Sequence, residues 1–515
     1  MHGFGRREKT SVKRKATHTF AGLVLFAVTV VASTAQPQTA YSPPIPPGHY
    51  AQPAPDRTIA PPPLPQVALR PDQIALLEHT LDQADDQGLL RAEYSPAAAD
   101  ALMRSANPDS RRAGGDLLVA AVLRYARAVH SGRLAAADFD PQWGLHPVDY
   151  DPTADFVQAV SADRLQPWLD SLPPPYAGYD ALKGALVTYR GIAAKGGWIA
   201  LSDGPPLKLG MTDPRVVALR QRLAVEDTSI DLAPGPVFDQ PLADAVARAQ
   251  KRYGQDPNGV LTHATIMALN VSVDERIAQI IANMERWRWL PAVLPADRIQ
   301  VNIAAAVLTL FKADTPLLSM KAVTGRPGDD TPMLQSVISS VVLNPPWYVP
   351  GDIAAKELWP KERAHPGYFA RNDFEVVTMG DTTRLIQKAG PKAALGHVKF
   401  DFINKYGVYL HDTPTHGTFA KYTRQDSHGC VRLEKPVVLA KALFADDPQW
   451  TPQMIDDTIA GGDTVRAPLQ RPIAVFLLYW TTFVGTDGAA NFRADPYGWD
   501  ALLMQRIAAA QHGSA

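Results

Sequence analysis

The spacing of apolar residues changes once along this chain of 515 residues, at residues 285–291 (ERWRWLP). Before this point, apolar residues recur every three or four positions, which is the period of an amphipathic helix. After it, short runs rich in β-branched and aromatic residues follow one another between Gly, Pro and Asp, which is typical of strands. The pattern predicts an α+β multidomain protein, with a helical half followed by a β-rich half.

Residues 67–200 are predicted to form a helical scaffold domain. The segments DQIALLEHTLDQADDQG, SPAAADALMRSA and GGDLLVAAVLRYARAVHSG carry apolar residues at helical spacing. No set of residues in this region suggests chemistry, so a packing role is the preferred interpretation.

Residues 205–272 are predicted to form three short helices. Thr212 is the expected N-cap of the first helix and Thr262 that of the third. The stretches KLGMTDPRVVALRQRL, AVARAQKRYG and DPNGVLTHATIMALN resemble a three-helix peptidoglycan-binding domain. A generic helical bundle remains the alternative interpretation of these short motifs.

Residues 296–470 are predicted to form a β-rich domain with inserted helices. A strand over residues 407–410 is expected to place His411 at its end. Residues 345–394 lack clear periodicity and are long enough to be a capping insertion over a site. Residues 471–515 are expected to add a β-hairpin and a helix that pack on this domain.

The start of the chain indicates export. Six basic residues lie between residues 6 and 15, and an apolar run occupies residues 21–35. The run is shorter than the ~20 residues of a membrane-spanning helix, so we expect residues 1–35 to be a cleaved signal peptide. Residues 36–66 are rich in proline and predict an extended linker. A net charge of −1 argues against nucleic acid as the main partner.

Cys430 is the only cysteine of the chain and lies in the polar run SHGCVR. A thiol needs a base to become a nucleophile near neutral pH, and His411, nineteen residues earlier, is the candidate. His428 is too close in sequence to face the sulfur and is assigned a supporting role. Gly429 allows a tight turn, and its N–H and that of Cys430 are candidates for an oxyanion hole.

Other roles for the same residues stay open on the residues alone. A lone cysteine is often a small buried apolar residue, and a single histidine is often structural. His411, His416, His428 and Cys430 could together bind zinc, although their spacing matches no compact ligand pair.

The motif from His411 to Arg432 (H-x15-SHGCVR) resembles the signature of L,D-transpeptidases, the cysteine enzymes that cross-link peptidoglycan. The stretches NPPWYVP, QKAGPKAALGHVKF and YLHDTP extend the resemblance to the large multidomain subfamily of Gram-negative envelopes. That subfamily has a helical scaffold domain, a peptidoglycan-binding domain and a mobile capping insertion. One departure is Arg432, where many shorter relatives have Asn.

The resemblance implies acyl transfer from a donor tetrapeptide through a thioester on Cys430 to a diaminopimelate amine, giving 3-3 cross-links. It implies acylation of Cys430 by carbapenems and a backbone carbonyl that orients His411, which Ser427, His428 or Gly429 could supply. The residues expected to contact substrate are Ser427, Arg432, Arg424 and Trp347.

The resemblance implies no metal or organic cofactor. The expected partners are stem peptides and glycan strands, and the expected form is a monomer in the periplasm, held at the inner membrane if the leader is uncleaved. An L,D-carboxypeptidase and a lipoprotein-anchoring transpeptidase would share the same site. A non-catalytic wall-binding scaffold and a zinc hydrolase are alternatives of other classes.

Overall fold

The structure, a computed structural model, describes residues 63–512 except residues 231, 233, 234 and 381. The expected signal peptide, and residues 36–62 of the expected linker, lie outside the described residues. Within the part of the chain that is described, no helix combines the length and the apolar character that crossing a membrane requires.

The first half of the described chain is helical, as the period of its apolar residues predicts. Its α-helices are α1 (Pro71–Asp82), α2 (Arg91–Tyr94), α3 (Ala97–Met103), α4 (Pro108–Ser131), α5 (Thr153–Ser161), α6 (Leu165–Asp170), α7 (Ala177–Ala194), α8 (Arg215–Ala224), α9 (Gln240–Arg252), α10 (His263–Asn270) and α11 (Val273–Trp287).

The cap of α10 is as predicted, whereas that of α8 is not. Thr262 accepts a hydrogen bond from the Thr265 N–H through its hydroxyl oxygen, which caps α10. Helix α8 begins at Arg215, so Pro214, rather than the predicted Thr212, occupies its N-cap position. Its first turn is held instead by Asp213, whose carboxylate accepts the N–H of Arg215 at 2.8 Å.

Helices α8, α9 and α10 share a core with helix α7 rather than closing around one of their own. Leu219, Leu242 and Leu269 are fully buried in the same apolar cluster as Tyr189 of α7 and Phe492 near the C-terminus. The segment expected to resemble a peptidoglycan-binding domain is therefore packed into the body of the protein along one face.

The second half is a β-rich structure with short helices, which confirms the predicted α+β class. Its strands are β1 (Arg298–Asn302), β2 (Val307–Lys312), β3 (Thr315–Gly325), β4 (Leu334–Leu343), β5 (Trp347–Tyr348), β6 (Phe374–Met379), β7 (Thr382–Gln387), β8 (Val398–Phe402), β9 (Leu410–His411), β10 (Gln425–Ser427), β11 (Val431–Leu433), β12 (Val465–Leu478), β13 (Thr482–Val484) and β14 (Ala490–Phe492). Its α-helices are α12 (Gly351–Ile353), α13 (Trp359–Ala364), α14 (Tyr368–Arg371), α15 (Pro436–Leu443), α16 (Pro452–Gly461) and α17 (Trp499–His512).

Nine of these strands form one sheet in the order β10-β3-β11-β9-β8-β4-β12-β1-β2. Strand β2, the last in this order, also pairs with β3, the second in the order. The sheet therefore closes on itself around a single core. Strand β12 lies between β4 and β1, and the boundary expected at residue 470 falls inside it. Residues 471–478, at the start of the segment predicted to contain a hairpin, belong to β12. The C-terminal hairpin is formed by β13 and β14 alone among the described strands.

Residues 345–394 contain more regular structure than their sequence indicates. They hold helices α12, α13 and α14, one π-helical turn at Ala354–Leu358, and a small sheet of order β5-β7-β6. Ala354, Leu358, Phe369 and Leu385 form a small apolar core there, separate from the core of the large sheet.

Helix α11 carries buried charges, of which one set packs the helix within the helical half and another joins it to the C-terminal helix. Glu285 is completely buried and accepts the Arg133 N–H at 2.5 Å, and its carboxylate also pairs with Arg288 at 2.7 Å. On the other side of the helix, Arg286 pairs with Asp500 of α17 at 2.5 Å. Burial opposes ionisation of Glu285, but the two guanidinium groups outweigh it and hold the pKa of this carboxyl below its ordinary value.

We predict that Glu285→Gln lowers the free energy of unfolding by about 3–5 kcal/mol, because two buried guanidinium groups lose their common counter-charge. Urea denaturation followed by far-UV circular dichroism measures the effect without screening charges. Asp274→Asn, at an exposed position in the first turn of the same helix, is the control and should cost no more than about 1 kcal/mol. Equal losses in the two variants would contradict a special role for Glu285.

Candidate active site

Strands β9 and β11 bring together the segments that carry the proposed catalytic residues. They pair in parallel, with Leu410 beside Val431 and His411 beside Arg432. Leu410 and Val431 are fully buried in the core. Because side chains alternate along a strand, His411 and Arg432 lie on the opposite face. Cys430, two residues before Arg432, directly precedes β11 and packs partly against the core. His411 is within β9 rather than after the strand end that its sequence predicted.

Two further residues belong to this face. Lys399 of β8 is the antiparallel partner of His411, and Tyr409 stands two residues before His411. The Lys399 ammonium lies 4.2 Å from the centre of the Tyr409 ring and pairs with Asp401 at 2.7 Å. The Tyr409 hydroxyl contacts the Cys430 thiol. The thiol thus has a phenol in contact with it, and the charges of Lys399 and Arg432 act on both the thiol and the His411 imidazole.

The turn that carries Cys430 is closed by its own side chains. The Ser427 hydroxyl donates to the Cys430 carbonyl at 2.6 Å and accepts the Gly429 N–H at 3.2 Å. Gly429 has a φ of 99°, in the left-handed region that favours glycine. Thr331 of a neighbouring loop donates to the Gly429 carbonyl at 2.7 Å. The turn is held on both sides and presents the sulfur in a fixed position.

A backbone carbonyl orients the imidazole, as the resemblance implies, but it belongs to Asp412 instead of Ser427, His428 or Gly429. The Nδ1 atom of His411 lies 2.5 Å from the carbonyl oxygen of Asp412. Nδ1 must carry the proton to donate to that oxygen, which leaves Nε2 as the unprotonated, basic nitrogen.

Burial determines the resting protonation of the pair. It lowers the pKa of His411 to about 3, with the charge of Arg432 acting in the same direction. Burial raises the pKa of Cys430, although bonds to Tyr409 and the charges of Lys399 and Arg432 oppose the rise. The resting site therefore holds a neutral thiol and a neutral imidazole rather than a preformed ion pair, and His411 can act as a base only when the thiol attacks.

Arg424, expected to contact substrate, is instead part of the framework. It is buried, and its five N–H groups donate to backbone carbonyls at 3.1–3.2 Å. Ser427 is likewise buried, and its hydroxyl is used inside the turn. Both residues hold the loop in place, so the expectation of substrate contact is corrected for each.

The remaining expected residues lie around the thiol. Arg432 acts on Cys430 through its charge, and Trp347, partly buried in β5, contacts the Tyr409 hydroxyl. His428 turns away from the sulfur towards the capping insertion, where its Nε2 lies 2.6 Å from Glu357 Oε1.

Sequence reasoning missed Lys399, Tyr409, Asp412 and Glu357. Tyr409 could have been found, because a residue two positions before His411 in a strand shares its face. Lys399 requires the pairing of β8 with β9, and Glu357 requires the packing of the insertion on the turn. Within residues 63–512, as far as they are described, no group of three His, Cys, Asp or Glu side chains is arranged to hold a metal ion.

Comparison with known proteins finds similarity in both halves of the chain. Residues 296–450 match the family model of the L,D-transpeptidase catalytic domain, and residues 69–186 match that of a scaffold domain. Over 252 residues the chain is 31% identical to a Haemophilus influenzae protein described as a candidate L,D-transpeptidase. That alignment covers 45% of this chain and 50% of the relative, so the chain spans half of the relative's length.

Solved L,D-transpeptidases are also similar to this chain. The enzyme of Stackebrandtia nassauensis has 13% identity over 53% of this chain and 97% of that one, with a TM-score of 0.22. The enzyme of Mycobacterium smegmatis has 16% identity over 35% of this chain and 58% of that one, with a TM-score of 0.19. The resemblance drawn from the motifs is confirmed by the sequence matches.

We predict that the rate of Cys430 alkylation by iodoacetamide rises with pH to a midpoint above about 8.5, the value of a free thiol, because burial raises the pKa of Cys430. No step is expected between pH 5 and 8, because His411, with a pKa of about 3, is uncharged there. Mass spectrometry of the intact protein measures the rate, with His411→Gln as the control. A midpoint below about pH 7 that is lost in His411→Gln would show a preformed ion pair and contradict the prediction.

Proposed function

Because residues 296–450 form a catalytic domain of the L,D-transpeptidase family, we propose that this protein is an acyltransferase that makes 3-3 cross-links in peptidoglycan. The observation that supports the proposal is the parallel pairing of β9 with β11, which aligns His411 with Arg432, two residues after Cys430. Peptidoglycan stem peptides are the proposed substrates, both as donor and as acceptor.

Cys430 is the proposed nucleophile. Its sulfur attacks the carbonyl carbon of the amide between the L-centre of meso-diaminopimelate and the terminal D-Ala of a donor tetrapeptide. The thiol proton passes to Nε2 of His411, and the carbonyl becomes a tetrahedral oxyanion. When the intermediate collapses, the C–N bond breaks, His411 returns the proton to the leaving amine, and D-Ala departs. A thioester then joins the donor to Cys430.

The side-chain amine of a second diaminopimelate resolves the thioester. It attacks the thioester carbonyl while His411 accepts its proton, and the C–S bond breaks as the new amide forms. The proton then returns to the sulfur, so the site regains its neutral thiol and neutral imidazole. No oxidant, metal or organic cofactor is needed to balance either step.

The charges around the thiol suit a reaction that develops negative charge. Lys399 and Arg432 both favour an ionised Cys430 and both disfavour a charged His411. They would stabilise the thiolate and the oxyanion as these form, which is electrostatic stabilisation of the transition state. The Gly429 N–H is engaged by Ser427, so the Cys430 N–H is the better candidate for the oxyanion hole.

The surroundings of the catalytic domain fit a role in the cell envelope. A leader at residues 1–35 would export the protein to the periplasm, where stem peptides are exposed, and a proline-rich segment would then separate the body from the leader. A glycan-binding role for residues 205–272 stays a prediction. We propose a monomer that acts directly on the wall.

We predict that imipenem or meropenem adds covalently to Cys430, because an activated thiol opens a β-lactam ring by the same attack. Intact-protein mass spectrometry should show one adduct per chain, mapped to Cys430 by peptide analysis. Cys430→Ala should show none, and His411→Gln should acylate about 100-fold more slowly through loss of the general base. If the folded wild-type protein forms no adduct, Cys430 is not an acylatable nucleophile and the assignment is wrong.

We predict that incubation with disaccharide-tetrapeptides yields 3-3 cross-linked dimers and free D-Ala in equal amounts. Each transfer releases one D-Ala and forms one amide, so chromatography with mass detection tests the balance. Release of D-Ala without dimers would mean that water is the acceptor, which identifies an L,D-carboxypeptidase and contradicts the proposed cross-linking.

A further inference from the structure

Three basic side chains, here called the basic cluster, surround the turn that carries the nucleophile: Arg326, His428 and Arg432. His428 stands two residues before Cys430, and Arg432 stands two residues after it. Arg326 belongs to a neighbouring loop, and its backbone N–H donates to the Ser427 carbonyl at 2.9 Å. The cluster therefore brackets Cys430 on both sides along the chain.

A carboxylate of the capping insertion occupies this cluster. Glu357, in the π-helical turn, has its Oε1 atom 2.6 Å from His428 Nε2 and 3.7 Å from Arg326 Nη2. Glu357 also favours the charged form of Arg432, together with Asp426 and Cys430, while burial lowers the pKa of Arg432. Glu357 therefore contacts His428 and lies within ion-pair distance of Arg326, which also pairs with Asp329 at 2.7 Å, and it acts on Arg432 through its charge.

The guanidinium of Arg432 is only partly exposed and has neither a hydrogen-bond nor an ion-pair partner among the described side chains and carbonyls. A guanidinium presents five N–H donors in a planar fork, which matches the two oxygens of a carboxylate. A guanidinium group whose donors have no partner among the described residues, two residues from the proposed nucleophile, can bind an anionic ligand.

The contact made by Glu357 is suited to breaking. The insertion has its own apolar core, separate from the core of the large sheet. The Glu357 and His428 side chains retain 34% and 27% of their exposure, so solvent screens their attraction and limits its strength. A charged ligand of sufficient affinity could displace the carboxylate without disrupting either core.

The proposed donor peptide carries an anion at the required place. Its terminal D-Ala carboxylate is three bonds from the carbonyl that Cys430 attacks, and so at most about 4 Å from it. A group that binds this carboxylate must lie beside the thiol, as the basic cluster does. The diaminopimelate of the acceptor also has carboxylates. An experiment must therefore distinguish the donor carboxylate from the acceptor carboxylates as the ligand of the basic cluster.

We propose that the basic cluster binds the terminal carboxylate of the donor peptide, and that Glu357 occupies the same place when the site is empty. Glu357 is then a built-in competitor, which the donor displaces as it enters and which discriminates against ligands without a carboxylate. The identity of the donor rests on the proposed function, whereas the preference of the cluster for anions does not.

The anion preference is testable on the thiol itself, because Cys430 is the only cysteine of the chain. Iodoacetate and iodoacetamide both alkylate a thiolate by displacement of iodide, but they differ by one negative charge. We expect Glu357→Gln to raise the ratio of the iodoacetate rate to the iodoacetamide rate on the order of fivefold, and Arg432→Gln to lower it similarly. The ratio cancels general changes in thiol reactivity.

Glu375→Gln is the matched control, because Glu375 lies on the same insertion but pairs with Lys388. It removes the same charge and should leave the ratio unchanged. If Glu357→Gln accelerates both reagents equally, Glu357 only obstructs access, and the competitor role is overturned. If Glu375→Gln shifts the ratio as much as Glu357→Gln does, the shift reflects the net charge of the protein. The basic cluster is then not an anion-binding site.

The source of the carboxylate is tested with two donors, a disaccharide-tetrapeptide with a free terminal carboxylate and the same compound as its carboxamide. Thioester formation on intact protein should be faster with the acid, and Arg432→Gln should slow the acid selectively. Equal slowing of both donors would overturn the assignment to the donor. If neither donor acylates Cys430 while the alkylation ratio shifts as expected, the proposed function fails and the anion site stands.

Discussion

The buried carboxylate of Glu285 is the interaction on which the packing of helix α11 within the helical half depends. An ionised carboxylate without counter-charges would be costly in the protein interior, and two guanidinium groups from different segments supply them. Arg133 follows the long helix of the N-terminal half, and Arg288 lies just beyond α11. The Arg286–Asp500 pair joins the same region to the C-terminal helix. Helix α11 therefore packs within the helical half and is joined by its buried charges to the C-terminal helix.

The active site depends on a second constraint, the two-residue period of strands. Leu410 and Val431 enter the core, so His411 and Arg432 must occupy the other face. The same core that stabilises the sheet thus positions the proposed base, His411, in the strand beside the segment that carries Cys430. Burial then keeps the pair uncharged at rest. Reactivity must come from the substrate and from the surrounding cations, and a thiol that is neutral at rest is less exposed to oxidation.

The fold class could be predicted from the sequence, and the candidate site residues could be proposed from it, because each rests on a local pattern. The change of apolar period predicts helices followed by strands, and the Cys–His motif predicts the chemistry. Errors arose where long-range contacts decide. Arg424 looks like a substrate ligand in sequence, yet five carbonyls from distant and local segments surround its guanidinium. The carbonyl that orients His411 is predicted to belong to the turn before Cys430, whereas in the structure it belongs to Asp412.

The sequence by itself determined the fold class and the proposed roles of Cys430 and His411, since apolar period and motif spacing are properties of the chain. Only the tertiary structure decided what surrounds them. Strand pairing brings Lys399 beside His411, and packing of the insertion brings Glu357 to His428 across 71 residues. The physical reason is that burial and charge act through space. The protonation of Cys430 and the occupant of the basic cluster follow from neighbours that no local pattern specifies.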